Sequence, residues 1–530
     1  DMPIILFALS GKTCEEIHKL SDFIIGENSP SWMTMKRFDL VQPSAFSHFD
    51  ISEPAPGVMV SLKLYGGRLN SKRLQDLPIS PGTMLTEQEM DETLDYCIND
   101  LNTTIDLYRK IEDRIKLRYD MSKQYASDLR SKSDAQIAEV VIKSELAKKF
   151  PNKTIRRPAI KSSTTFKYDV PSYINFEGEQ LKDALKSIRK HHFELDKKGS
   201  IKLPKELKSM KIEIGESKYQ LGIGGIHSTE KRQAIVPKEN EILCDRDVAS
   251  YYPAIILNLR LYPRHLGPAF LDIYQSIVDE RLKAKKSGDA LVNQSLKIVI
   301  NGSFGKLGSK WSILYSPDLM MAVTMTGQLA LLMLIEKLEI AGIKVISANT
   351  DGFVSIMDKS LYEIYDDICF QWELDTAFEL EETRYKALYS RDINNYVAIT
   401  DYGSKGKGIF NINQIAKNPA AAICIVAVTE KLIHDTPTED TIRTCTDLTQ
   451  FLTVRSVTGG AIWKDQYLGR VVRWIYSTDG EKITYKKNGN KVPKSDGSRP
   501  VMELCDFPTD LDYDRYIEEA NGILEDIGFK

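Results

Sequence analysis

The sequence predicts an α+β fold, and three observations carry that reading. Strand-like and helical stretches are mixed without the regular alternation that builds a doubly wound sheet. Asn349-Thr350-Asp351-Gly352 stands between two short β-rich runs, Ile343 to Ser347 and Phe353 to Ile356, as a tight turn would in an antiparallel hairpin. The chain has 530 residues, 42% of them hydrophobic, which at roughly 100–200 residues per domain gives core material for about three to five domains.

Taken in order, the start Asp1-Met2-Pro3-Ile4-Ile5-Leu6 has neither the basic opening nor the small-residue cleavage site of a secretory signal, so the chain is expected to begin inside a domain. Residues 80–135 read as helical, with Thr86-Glu87-Gln88-Glu89 as the N-terminal signal and apolar residues recurring at three and four. The Lys/Arg/Pro/Ser-rich stretch 148–170 has no sustained period and reads as a connector. Leu221-Gly222-Ile223-Gly224-Gly225 lets a backbone come close to a ligand or another segment. Residues 241–248 are strand-like, and 270–304 are two helical runs broken at Ser287-Gly288. A long apolar helix is expected over 319–341. Its most apolar part, Met320 to Ile335, is interrupted by Thr324, Thr326, Gly327 and Gln328 and falls short of the ~20 residues a bilayer needs, so it reads as buried.

Lys+Arg total 71 against 74 Asp+Glu, a net charge of -3, which excludes disorder and bulk polycation binding. Charge is nevertheless segregated. Ile142 to Lys167 carries eight Lys/Arg and one acid, Ser187 to Lys211 eight against three acids, and Arg281 to Lys310 seven against Asp289 alone. Met357 to Glu382 holds nine acids and one Lys. Any one run could be a solvated face, but three basic runs in a chain of this net charge point to a shared polyanion site. The seven cysteines, at 14, 97, 244, 369, 424, 445 and 505, form no CxxC pair and have no His at zinc spacing, which speaks against a disulfide framework or zinc module and for a reducing, cytoplasmic setting.

Three segments carry chemistry jointly. Asp247-Val248-Ala249-Ser250-Tyr251-Tyr252-Pro253 ends an apolar strand in a carboxylate, where the bland alternative is that Asp247 or Ser250 caps the next helix. Asn349-Thr350-Asp351-Gly352 taken alone is an ordinary turn. Around Ser287-Gly288, Arg281 with Lys285 and Lys297 with Asn301 are each four apart, so each pair shares a helix face and two antiparallel helices could aim all four at one anion. Two acids on neighbouring strand ends, able to hold paired Mg²⁺ ions, and basic residues to neutralise a triphosphate describe phosphoryl transfer.

These segments resemble the family B DNA polymerases. Asp247 to Pro253 is similar to the family's DxxSLYP, with Tyr251 for Leu. Lys297-Ile298-Val299-Ile300-Asn301-Gly302-Ser303-Phe304-Gly305 is similar to KxxxNSxYG, with Gly302 for Ser and Phe304 for Tyr, and Ala348 to Gly352 is similar to GDTDS, with Asn349 and Gly352 as departures. Arg281-x-x-x-Lys285 resembles the fingers pair, and the set falls in the family's order. The resemblance implies a right-hand fold of palm, short fingers and thumb after a partial ribonuclease-H-like exonuclease domain. It implies that Asp247 and Asp351, with the Val248 carbonyl, bind two Mg²⁺ (or Mn²⁺) ions and that Asn349 stands beside them, a weaker neutral ligand. Ser250, Tyr251, Tyr252, Arg281, Lys285, Lys297 and Asn301 would bind the nucleotide, with Tyr252 under the sugar where no 2′-hydroxyl fits. Glu381 would be an accessory acid. Arg391 to Tyr396 resembles the KxY element with Asn394 for Lys, so Asn394, Tyr396, Lys405 and Lys407, together with Gly224 and Gly225 of a YxGG-type junction, would meet DNA.

Tyr96-x-x-x-Asp100 resembles the third exonuclease motif and Asp1 the end of the second; the first would lie upstream. A nuclease lacking those carboxylates cannot assemble two ions, which leads to the expectation of a proofreading-dead remnant that serves as scaffold, or of a chain cut inside that domain. The implied segments are 1–135 exonuclease, 136–235 connector and template-side region, 236–268 and 307–400 palm, 269–306 fingers and 401–530 thumb. The 50-residue spacings from Asp247 to Lys297 and from Asn301 to Asp351 leave room for one short fingers hairpin only, as in a compact phage-type enzyme. The expected partners are primer-template DNA, deoxynucleoside triphosphates and a processivity or loading factor, with no membrane and a monomeric chain. A catalytically silent polymerase-like scaffold that binds DNA is the alternative from another class; an RNA-handling polymerase is disfavoured by Tyr252 and by the single acid of the turn.

Overall fold

The computed structural model describes residues 2–41, 47–56, 60–80, 82–152, 154–161, 163–412, 415–504 and 506–529; Asp1, Lys153 and Cys505 therefore lie outside the described residues. It forms two compact units, Asp1–Asp50 and Ile51–Lys530, and this division falls within the expected 1–135 segment. The first unit is three helices, α1 (Met2–Leu9), α2 (Cys14–Gly26) and α3 (Ser31–Arg37). A capping box of Thr13 and Glu16 starts α2, and Phe38 meets Phe7 and Phe23 edge-on, with ring centroids 5.8 and 5.4 Å away.

In the second unit, helices come first: α4 (Leu62–Arg68), α5 (Glu87–Lys110), α6 (Glu112–Gln124) and α7 (Asp134–Lys149). Thr86 and Glu89 close the capping box predicted at the head of α5. The connector region holds one short strand, β1 (Thr165–Lys167), too brief for a sequence period to register; it joins β2 (His192–Leu195) and β3 (Ile201–Lys202) in a three-stranded sheet, with α8 (Glu179–Lys190) between. Then follow α9 (Lys205–Ser209), β4 (Ile212–Ile214), β5 (Ser217–Gln220), β6 (His227–Ser228), β7 (Gln233–Ile235), β8 (Glu241–Val248) and α10 (Tyr251–Asn258). The two helical runs are α11 (Ala269–Ser287) and α12 (Ala290–Leu307); Gly288, in the left-handed region, ends the first, and the Asp289 carboxylate caps the second by accepting from the Val292 amide.

The apolar helix α13 (Pro317–Ile340) precedes the hairpin β9 (Lys344–Asn349) and β10 (Gly352–Asp358), then α14 (Tyr362–Thr376), β11 (Leu380–Tyr385), β12 (Ala387–Asp392), β13 (Asn395–Thr400) and β14 (Gly403–Lys407). The last part contains α15 (Ala422–His434), α16 (Thr438–Thr444), β15 (Thr453–Trp463), β16 (Gln466–Glu481), β17 (Thr484–Tyr485), β18 (Ser498–Pro500) and α17 (Tyr513–Asp526). Every strand pairing described is antiparallel, and the central seven-stranded sheet runs β11-β8-β10-β9-β6-β5-β4. Antiparallel sheets beside helical regions make this a mixed α and β architecture of the α+β kind.

α13 is long and apolar enough to span a bilayer, yet 83% of its most apolar stretch is buried in the protein. Its polar residues are docking points. The Gln328 side chain pairs with both backbone groups of Gly222, at 2.8 Å each. Glu336 accepts from the amides of Glu177 and Gly178, and Thr326 bonds the Tyr168 hydroxyl. Trp372 of α14, fully buried, donates its indole N–H to the Ala330 carbonyl at 2.8 Å. Such a residue fills a large volume at the α13–α14 contact, and truncating it leaves a cavity. Trp372→Ala is expected to cost about 3–5 kcal/mol in chemical denaturation; a loss under about 1 kcal/mol would show that this contact does not organise the core.

Candidate functional site

β8 is the strand on which the site is built. Its period of two places Asp245 and Asp247 on one face and Cys244 and Arg246 on the other. On the back face Arg246 is buried, donating to Asp366 and Glu382 with its guanidinium over the Tyr365 ring. β8 lies between β10 and β11, and the register sets Asp247 opposite both Gly352 and Glu381. The Val248 amide donates to the Asp351 carbonyl at 2.7 Å, so the turn carrying Asp351 is fastened to the end of β8. Asp247 and Asp351 thus come together from neighbouring strand ends, the arrangement expected of the two segments.

Gly352 is what makes room. A Cβ there would fall 2.0 Å from an Asp247 carboxylate oxygen. The turn itself is strained: Thr350, a β-branched residue, has φ 59°. Its amide donates to the Ile226 carbonyl and its side chain packs on Gly225, where a Cβ would sit 2.9 Å from the threonine. The glycine-rich stretch therefore approaches this turn closely. Asn349 pairs with Gly352 across the hairpin and with His227 of β6, its side-chain oxygen accepting from the Thr350 hydroxyl at 3.1 Å.

A cleft of about 110 Å³ opens over this face, lined among others by Glu230, Asp245, Asp247, Asp351, Tyr396 and Lys407. Burial pushes Asp247 up to about 6, with the charges of Asp245 and Asp351 adding to it and Lys405 opposing. Burial also raises Asp351, against its backbone hydrogen bond and the charge of Lys407. Lys405 reaches in from β14, its ammonium 3.0 Å from Asp245 and 3.6 Å from Asp247, and the Tyr385 hydroxyl donates to Asp245. Sequence reasoning passed over Asp245 and Tyr385; the spacing Asp245-x-Asp247 on one strand was the available signal. Lys407 lies 5.9 Å from the Tyr396 ring, and burial lowers its pKa. Asn394 sits exposed in the β12–β13 turn, its amide donating to Asp392.

On the nucleotide side, Ser250 occupies the start of α10 at φ 50° without bonding any helix amide, so the capping alternative does not hold; its hydroxyl instead accepts from Arg281 at 3.2 Å. The Arg281 Nε is buried and has no partner among the described residues. Lys285 pairs with Glu381 at 3.5 Å, while Lys297 and Asn301 are exposed on α12. Tyr252 stacks on Phe304 with centroids 4.2 Å apart and donates its hydroxyl to the Gly224 carbonyl. Tyr251 is buried against α13 with its hydroxyl on the Gly327 carbonyl and its ring stacked beside that of Tyr252, centroids 6.2 Å apart, and it does not line the cleft.

Among the described residues no three His, Cys, Asp or Glu side chains converge as a metal cluster. The donors at hand are two carboxylates and a strand-end carbonyl. That set suits Mg²⁺, which commonly takes one or two carboxylates and completes its shell with substrate phosphates and water. Burial is the main cause of the raised pKa of Asp247 and Asp351, and a bound cation would offset the cost of keeping both carboxylates ionised there. Arg281 donates to Ser250 through another nitrogen and leaves its buried Nε without a partner among the described residues.

Of the exonuclease residues, Asp1 is outside the described residues. Tyr96 and Asp100 lie one turn apart on α5, where Lys63 donates to both, at 2.5 and 3.0 Å, so the Asp100 carboxylate already has a cation.

No protein-family model and no curated protein matches the chain. Among solved structures, the family B DNA polymerase from the hyperthermophilic archaeon Pyrobaculum calidifontis is similar, with a TM-score of 0.42 and 14% identity over 90% of this chain and 62% of that one. The chain thus spans less than two thirds of that polymerase, and at this score the likeness is a weak one at the level of the fold.

Two expectations follow from the carboxylates. Asp247 holds its proton more tightly folded than unfolded, where its ordinary value is about 3.9. Its contribution to stability is therefore fully present below that value and is lost as pH rises through about 6. Without divalent cations, Asp247→Asn should melt higher than the parent at pH 8 and lose that advantage by pH 4; an equal gap at both would refute the assignment. Gly352→Ala, which drives a methyl into the Asp247 carboxylate, should abolish Mn²⁺ binding measured by electron paramagnetic resonance while the circular dichroism spectrum is kept.

Proposed function

We propose that this chain is a DNA-templated DNA polymerase that extends a primer with deoxynucleoside triphosphates. The observation that carries the reading is the meeting of Asp247 and Asp351 at adjacent strand ends with Arg281 and Lys285, from the helix pair, reaching Ser250 and Glu381 at the same end of β8 and β11. Carboxylates at one end and guanidinium and ammonium groups facing them suit a nucleotide whose phosphates lie between.

In this reading the seven-stranded sheet is the palm, α11 and α12 are short fingers, and residues 401–530 supply the thumb. Asp247, Asp351 and the Val248 carbonyl would hold two Mg²⁺ ions. When bound, such ions lower the pKa of an attacking hydroxyl and stabilise charge on the leaving pyrophosphate. Arg281, Lys285 and Lys297 bind the triphosphate; Arg281 uses its fork, including the Nε that has no protein partner. Tyr252 is braced by Phe304 on one side and by the Gly224 carbonyl at its hydroxyl, which fixes the ring rigidly enough to exclude a 2′-hydroxyl. Asn301 supports the nascent pair, and Gly224, Gly225, Asn394, Tyr396 and Lys407 face the duplex. Lys405 balances the carboxylates until the cations enter. In this reading Tyr96 and Asp100, both held by Lys63, belong to a scaffold that does not degrade 3′ ends.

One observation favours the alternative of a silent DNA-binding scaffold: Lys405 already compensates Asp245 and Asp247. Primer extension with Mg²⁺ separates the two. The intact chain should extend with deoxynucleotides, Asp351→Ala should lose at least about a thousandfold (~4 kcal/mol of barrier), and Tyr252→Ala should gain ribonucleotide incorporation. No extension by the intact chain leaves the scaffold reading; extension indifferent to Asp351→Ala refutes the site.

A further inference from the structure

Away from the carboxylate cleft, the three basic runs of the sequence converge on one exposed indole. Trp311, four residues beyond the end of α12, is 69% exposed. Arg157 from the first run and Lys310 from the third each lie 5.1 Å from its ring centroid. The second run arrives through the Asp196–Gly199 turn: the Tyr315 hydroxyl donates to the Gly199 carbonyl at 2.6 Å, and a Cβ on Gly199 would sit 3.2 Å from Lys310 Cβ. That turn presents Lys197 and Lys198, and its one acid, Asp196, is engaged by the amides of Lys198 and Ser200. Among the described residues none of Arg156, Arg157, Lys197, Lys198 and Lys310 forms an ion pair with a carboxylate. An apolar cleft of about 300 Å³ is lined by Gly308 and Ser309, which precede Trp311 by three and two residues, and by Gly222 and Ile223, the loop whose next residue, Gly224, holds Tyr252.

We infer that Trp311 and this cleft form a binding track for single-stranded nucleic acid, separate from the carboxylates. A largely exposed indole whose ring already attracts two cations with no carboxylate partner suits an unpaired base stacked on the ring in place of one of them, with its flanking phosphates on Arg157, Lys310 and the Lys197-Lys198 turn. A duplex buries its base faces and gains nothing from the indole, so the track selects single strands. The cleft shares the Gly222–Ile223 loop with the residue that holds Tyr252.

The test is fluorescence anisotropy with a labelled oligodeoxythymidine of about 20 nucleotides and a blunt duplex of equal length. Trp311→Ala should weaken the single strand about tenfold or more and leave the duplex unchanged, Trp311→Phe should restore most of the affinity, and Lys310→Ala should flatten the salt dependence by about 0.7 in log–log slope. Single-strand affinity unchanged in Trp311→Ala, or equal losses on single strand and duplex, would each overturn the proposal, and neither outcome bears on the polymerase reading.

Discussion

Everything at the site depends on one cross-strand pairing, Asp247 of β8 against Gly352 of β10. Antiparallel register fixes which residues face each other, and a shift by one would turn Asp247 to the back of the sheet among the partners of Arg246. The same strand therefore carries two opposed electrostatic environments: a face where carboxylates gather and one where a buried guanidinium is satisfied by Asp366 and Glu382. Glu382 stands on the same neighbouring strand as Glu381, so β11 supplies one acid to each side of the sheet. The acid-rich segment that offsets the basic runs is thus partly structural.

α13 does for the core what β8 does for the site. An all-apolar helix of its length would pack without preference for rotation about its axis. The polar groups at Thr326, Gln328 and Glu336 remove that freedom, because each must find its partner once buried. Buried polar pairs cost desolvation and return orientation. The long strands and helices of the core thereby inherit a fixed rotational setting, and the loops bonded to those side chains inherit it too.

Much of this was legible in the sequence where signals were long or strongly patterned. The hairpin around Asn349 to Gly352, the break at Ser287-Gly288, the apolar helix and the capping box at Thr86 all have local causes: turn chemistry, a left-handed glycine, unbroken hydrophobicity, and a side chain that satisfies its own helix. The juxtaposition of Asp247 with Asp351 was legible as well, since both residues sit where strands end. What escaped was non-local or short. Lys405 beside Asp245 and Asp247 joins residues 160 apart in the chain, and no period or motif announces it. Tyr251 and Tyr252 look alike in sequence, and only packing against α13 tells the core ring from the one beside the cleft. The β1 strand is three residues long, below the reach of any alternation.

Two adjacent residues of α13, Gly327 and Gln328, hold the two segments that frame the Tyr252 contact: Gly327 the start of α10 through the Tyr251 hydroxyl and Gln328 the glycine-rich loop through Gly222. Both segments are thereby measured from a common datum. Tyr252 and the Gly224 carbonyl that receives its hydroxyl are thus set from one support, so the distance between them depends on a single helix and not on the packing of two separate elements.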